Sequence, residues 1–144
     1  MNNKINEIFL TIIIPHYNDF ENLIKLLESI NYNQYTQVIV IDDRSNLDIE
    51  RKIPQKYISK IDLIKNEHNK GAGFCRNIGL SKANGKFILF ADSDDVFEKK
   101  YFTVVSKYFH TDHDLIYFKS FSVKHNTFNN SRRNSKYNKY VQDF

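Results

Sequence analysis

The chain has 144 residues, 41% hydrophobic and 26% charged, with a formal net charge of +4. That suffices for one globular domain of ordinary size; no apolar run approaches the roughly 18 residues of a membrane span, and a single cysteine, Cys75, excludes an internal disulfide. The mild positive charge suits a phosphorylated small molecule, a polyanion or an anionic membrane surface without choosing among them.

Taken in order, residues 1–8 are polar and lack the apolar core of a signal peptide, so a cytoplasmic location is the expectation. Phe9–Ile14 is nearly all apolar, as expected of a strand covered on both faces, and Pro15 is expected to end it. After the loop His16-Tyr17-Asn18-Asp19, a helix should start near Asn18 or Asp19, with Phe20, Leu23, Leu27 and Ile30 on one face. Gln37–Ile41 predicts a second strand, ending in Asp42 and Asp43. The polar stretch 47–60, broken by Pro54, predicts one or two short helices, and Ile61–Lys65 a third strand. A loop over Asn66–Gly73 leads into a helix from about Ala72 to Ala83, which Asn84-Gly85 should close. Lys86-Phe-Ile-Leu-Phe-Ala predicts a fourth strand. Tyr101, Val104, Val105 and Tyr108 mark the inner face of a helix at about 97–109, and Asp114–Val123 predicts a fifth strand. Residues 1–123 then form one domain, and 124–144, rich in Asn, Lys, Arg and Ser, an extended or partly disordered basic tail.

Strands alternating with helices predict an α/β fold with a mostly parallel sheet. Such sheets bind ligands outside the carboxyl ends of their strands. Here those ends carry Tyr17 and Asn18, Asp42 and Asp43, and Asp92, Asp94 and Asp95, so polar groups from three stretches converge on one edge. Asp92, Asp94 and Asp95, gathered at one strand end, repel, by about 1 kcal/mol at 4 Å in water. A hard divalent cation would relieve that repulsion; the plainer alternative is a helix start, where Asp and Ser cap well. Asp42-Asp43 suits a turn before Ser45-Asn46, or supplies a carboxylate to a base N–H or a ribose hydroxyl. Gly71-Ala-Gly-Phe-Cys-Arg76 is no dinucleotide fingerprint, because Arg76 stands where the third glycine belongs and the stretch follows the third strand. It reads instead as a loop feeding a helix N-terminus, a place for phosphate, or as an ordinary loop–helix junction. His16 reads as structural, and Cys75 as packed rather than nucleophilic. A phosphoacceptor domain shares the alternating pattern, but lacks a fitting strand-end lysine and leaves Arg76 unexplained. Nucleic acid is not an expected partner.

Four stretches together resemble the family 2 glycosyltransferases of the GT-A fold: Thr11-Ile-Ile-Ile-Pro-His-Tyr-Asn18, Val38-Ile-Val-Ile-Asp-Asp-Arg-Ser45, Asn69-Lys-Gly-Ala-Gly-Phe-Cys-Arg-Asn77 and Phe90-Ala-Asp-Ser-Asp-Asp95. The resemblance covers roughly residues 9–120. It implies a Rossmann-like α/β/α sandwich, a nucleotide-diphospho-sugar donor (a UDP-sugar first), Mn2+ or Mg2+, and inverting transfer to the hydroxyl of a glycan or glycolipid acceptor in surface polysaccharide or lipopolysaccharide synthesis. By motif position, Pro15, Tyr17 and Asp42 would line the base and ribose pocket. Gly71, Gly73 and Arg76 would lie near the nucleotide, Asp92 toward the ribose and Asp94 on the metal. Peripheral association at the inner face of the membrane is compatible with it. No general base is recognisable after Asp95, although Glu98, Asp112, Asp114 and Asp143 are available. The chain therefore resembles the donor-binding portion of a transferase, with a catalytically incomplete nucleotide-sugar-binding module as the alternative.

Overall fold

The computed structural model describes residues 7–118, 120–122, 127–129 and 140–143. The chain divides into two compact units, 1–109 and 110–144, so the boundary expected at 123 falls inside the second.

In the first unit the order is β1 (Leu10–His16), α1 (Phe20–Ser29), β2 (Thr36–Asp42), α2 (Ile49–Lys52), α3 (Gln55–Ile58), β3 (Asp62–Lys65), α4 (Ala72–Lys82), β4 (Phe87–Phe90) and α5 (Tyr101–Val105), the last followed by a 3-10 turn over Ser106–Tyr108. The four strands form one sheet in the order β3-β2-β1-β4, every neighbouring pair parallel. Parallel pairing requires crossovers, which the helices supply. Both faces of the sheet are covered, which is why β1 and β2 read as unbroken apolar runs. On one face Leu10, Ile12, Ile14, Val38 and Val40 pack with Leu23, Leu26 and Leu27 of α1 and Ile49 of α2. On the other, Ile13, Ile39 and Ile41 pack with Cys75 of α4. Each such Ile or Leu contributes about 1.5–3 kcal/mol by leaving water. None of the described helices is long and apolar enough to cross a membrane.

Four sequence expectations are corrected. Pro15 does not end β1, which runs through His16. The Ile13 carbonyl accepts from the Ala91 N–H and the His16 carbonyl from the Asp43 N–H, so odd-numbered residues of β1 face β4 and even-numbered ones face β2. Pro15 thus faces β4 beyond Phe90, where that strand has ended, and its missing N–H costs no ladder bond. The last helix starts at Tyr101, not 97, because the Phe97 N–H bonds the Ser29 hydroxyl and Glu98 holds the next turn, its carboxylate accepting from the Lys100 N–H at 2.7 Å. Asn84-Gly85 makes no left-handed cap on α4: Ala83 is extended. Gln37 closes that end instead, donating from its amide to the Lys82 carbonyl and accepting from the Asn84 N–H. Finally, Asp114–Val123 is not one strand of the main sheet. In the second unit β5 (Leu115–Phe118) pairs parallel with β8 (Tyr140–Asp143), and β6 (Ser120–Ser122) pairs antiparallel with β7 (Thr127–Asn129). The break follows the pattern: Leu115–Phe118 is continuously apolar, whereas Ser-Phe-Ser alternates. The tail expected over 124–144 lies largely outside the described residues, β7 and β8 being its described parts.

Candidate functional site

Because β1, β2 and β4 are parallel and in register, with Ile13 beside Phe90 and His16 beside Asp42, their carboxyl ends open on one edge. Tyr17 leaves β1 there 50% exposed, while Pro15 behind it is buried. Asp42 is the last residue of β2; it is only 4% exposed, and its carboxylate accepts from the Ser45 N–H at 3.2 Å. Asp92 and Asp94 follow β4, both exposed. Pro15, Tyr17, Asp42, Asp92 and Asp94 thus come to one edge, with Asp42 and Pro15 set beneath its surface.

Past the last ladder bond, the loops after β1 and β2 are tied by side chains. The Asn18 N–H donates to the Ser45 hydroxyl at 2.9 Å, and the Asn46 N–H donates to the Asn18 Oδ1 at 2.8 Å. Asn18 and Arg44 both take left-handed backbone conformations, with φ of 51° and 69°.

Asp43, which the sequence marks only as half of a turn-like pair, organises the next loop. At 3% exposure its carboxylate accepts from the Asn66 amide at 2.7 Å, the Lys70 N–H at 3.0 Å and the Gly71 N–H at 2.6 Å. Burial pushes its pKa up, but the hydrogen bonds from Asn66, Lys70, Gly71 and Cys75 outweigh that and hold it below the usual carboxylate value. The only local signal for this role is an Asp pair at a strand end; its partners lie more than 20 residues away. Gly71, at φ 85°, makes the left-handed entry to α4 that a side chain would strain. Cys75 is buried, and burial beside Asp43 pushes its thiol up to about 11, so no thiolate nucleophile exists at neutral pH. His16 is 2% exposed, and neither ring nitrogen has a hydrogen-bond partner among the described residues. Burial lowers its pKa against the opposing pull of Asp42 and Asp19.

On the first turns of α4, the Arg76 guanidinium bonds the Asp92 carboxylate at 2.5 Å and lies 5.9 Å from the Phe90 ring centre. The Asp95 carboxylate accepts from the Asp92 N–H at 3.0 Å, and the Asp92 carbonyl from the Asp95 N–H at 2.9 Å, closing Asp92-Ser93-Asp94-Asp95 into a turn. Among the described residues no three acidic, His or Cys side chains are grouped to hold a metal by themselves. The donor set fits a hard cation that takes one carboxylate and draws its other ligands from phosphate and water, as Mg2+ commonly does. Hollows of about 350 and 460 Å³ lie elsewhere, at the start of β2 and beside the end of α1.

A parallel sheet with an aromatic residue, buried carboxylates, a glycine–arginine loop and an Asp-x-Asp turn along one edge defines a GT-A α/β domain. Residues 11–144 match the family described as glycosyl transferase family 2, and the chain belongs to that family. It is 34% identical over 94 residues to the Escherichia coli UDP-Glc:alpha-D-GlcNAc-diphosphoundecaprenol beta-1,3-glucosyltransferase WfgD, covering 64% of this chain and 37% of that protein. It is likewise 34% identical over 97 residues to the Staphylococcus aureus poly(ribitol-phosphate) beta-N-acetylglucosaminyltransferase TarS, covering 62% and 17%. The crystal structure of S. aureus TarS 1-349 in complex with UDP superposes with a TM-score of 0.70 at 27% identity, covering 78% of this chain and 35% of that one. The chain therefore spans little more than a third of these relatives at most.

Proposed function

We propose that this chain is the donor-binding portion of an inverting glycosyltransferase that uses a UDP-sugar with Mn2+ or Mg2+. The acceptor is the hydroxyl of a glycan or glycolipid in surface polysaccharide synthesis, reached at the inner face of the membrane. The observation that carries the reading is the convergence of Tyr17, Asp42 and the Arg76–Asp92 pair on one sheet edge. Tyr17 offers a face to the base, Asp42 accepts from the base or ribose, and Asp92 turns toward the ribose. The Arg76 guanidinium and the Gly71–Gly73 loop stand where a diphosphate would lie. Asp94 would hold the divalent cation, whose chemistry is to neutralise the charge that builds on the diphosphate as the glycosidic bond breaks.

Calorimetry with UDP, with and without Mn2+, tests this. The chain should bind UDP in a metal-dependent way, Asp94→Asn should weaken binding at least tenfold, and Asp112→Asn in the second unit should not. Equal affinity for Asp94→Asn and the parent would remove the metal assignment. A second reading, a binding module that needs its base from elsewhere, is favoured by Glu98. That carboxylate lies just downstream of the Asp-x-Asp turn but is engaged by the Lys100 N–H. Metal-dependent hydrolysis of UDP-sugar separates the two, since only an active transferase site turns the donor over.

A further inference from the structure

We propose that Asn18 is the positioning residue of the nucleoside pocket: it latches the loop that carries Tyr17 to the loop that follows Asp42, and so sets the spacing at which base and ribose are held. This deepens the proposed function and rests on it. A pocket shared by two strand ends needs its two sides held to a fraction of an ångström, and groups that wait in place bind more tightly than groups that must be ordered. The sheet itself fixes the spacing only as far as the Asp43 N–H to His16 carbonyl bond at 2.8 Å. Tyr17 lies beyond that bond. Asn18 takes over there with two bonds of opposite sense, donating from its N–H to Ser45 Oγ and accepting at Oδ1 from the Asn46 N–H, across 27 and 28 residues. On the facing loop, the Ser45 N–H in turn donates to the Asp42 carboxylate, so the latch reaches a proposed ligand group directly.

The backbone points the same way. Asn18 sits at φ 51°, a conformation Asn tolerates better than most residues because its short amide can bond locally. Arg44, at φ 69°, has no such excuse and stays left-handed because the residues on either side are tied down. Backbone outliers that persist only under such constraint concentrate at binding sites. Asn18 is itself exposed and packs no core, so its two bonds serve the loops rather than the fold.

The test measures, on the full chain with Mn2+, affinities for UDP and for inorganic pyrophosphate. Pyrophosphate uses Arg76 and the metal but not the nucleoside pocket. Asn18→Ala should weaken UDP at least tenfold while pyrophosphate stays within twofold. Asn18→Gly, which accepts the left-handed backbone but lacks Oδ1, should behave like Asn18→Ala. Asn18→Asp, which keeps an acceptor for the Asn46 N–H, should recover UDP binding to within threefold. UDP affinity unchanged in Asn18→Ala overturns the proposal, and so does an equal loss of UDP and pyrophosphate, which is what a general structural role would produce. If the parent chain binds no UDP, it is the proposed function that fails. The latch is then read by hydrogen exchange, where Asn46 N–H exchange no faster in Asn18→Ala than in Asn18→Asp overturns it.

Discussion

The Asp43 carboxylate and the Gly71 main-chain N–H meet at 2.6 Å across 28 residues of sequence. With the Asn66 and Lys70 bonds, this anchors the loop that feeds α4 to the end of β2. Hydrogen bonds to a charged acceptor contribute about 1.5–3 kcal/mol each, and buried donors left without an acceptor cost more than the bond itself contributed. Asp43→Ala should therefore lower the unfolding free energy by about 3 kcal/mol or more in urea denaturation. Asp43→Asn should lose about half as much, since its NH2 group faces donors. A loss below about 1 kcal/mol for Asp43→Ala would show that the loop holds itself.

Arg76 and Asp92 make the opposite case. Their side chains are 33% and 59% exposed, and an exposed ion pair is worth about 0–1 kcal/mol. Arg76→Ala should leave unfolding within about 1 kcal/mol of the parent, yet raise the dissociation constant for UDP with Mn2+ about tenfold or more. Arg76→Lys should recover only part, because an ammonium lacks the planar fork that grips two phosphate oxygens. Denaturation and calorimetry on the same samples decide it. A large stability loss with unchanged affinity would make the pair structural.

The parts of this fold that were legible are those written in short-range pattern. The unbroken apolar runs of β1 and β2 announce a sheet covered on both faces, and the carboxylates after β2 and β4 announce where its open edge lies. What was not legible depends on partners far away. Pro15 is harmless because of which neighbour its missing N–H faces, a matter of β4's length. Gly85 follows a helix but is not its cap, because Gln37 of β2 takes that role. Asp42 and Asp43 look alike in sequence; only the fold shows that Asp43 is consumed by the loop before α4 while Asp42, accepting from the Ser45 N–H, stays at the end of β2. The Asn18 latch has no periodic signature at all, since it spans two loops.

Gly79 and Gly73 lie on the same helix and should respond with opposite signs. A Cβ on Gly79 would come within 2.3 Å of Ile13 Cγ2, in the middle of a fully buried strand that cannot withdraw. Replacing Gly by Ala in a helix gains about 1 kcal/mol of propensity, but overpacking a core costs about 1–3, so Gly79→Ala, with so close a contact, should destabilise by up to about 2 kcal/mol. Gly73 has nothing within 4 Å of the same atom. Gly73→Ala should stabilise by up to about 1 kcal/mol and, standing where the nucleotide is proposed to approach, weaken UDP binding. Urea midpoints for the two variants that shift the same way would refute the packing argument.

His16 should make the domain acid-sensitive well above the carboxylate range. Burial lowers its pKa from 6.5, with Asp42 and Asp19 pulling only partly back. The fold therefore holds the ring neutral over a range where the unfolded chain already binds a proton. By linkage the unfolded state gains protons first as pH falls, so stability is full above about 6.5, declines below it, and levels off once the folded-state pKa is passed. Asp43 adds a second loss lower down: its pKa is depressed below 3.8, so its contribution is present above that value and disappears as acid reaches the folded-state pKa. Both ring nitrogens of His16 lack partners among the described residues, so an apolar replacement gives up no hydrogen bond there. His16→Leu should stay within about 1 kcal/mol of the parent at pH 8 and flatten the decline that begins below pH 6.5, leaving the lower loss in place. Urea unfolding of parent and variant from pH 8 down to below 3.8 measures both limbs. Parallel profiles would mean that the acid sensitivity lies in another group.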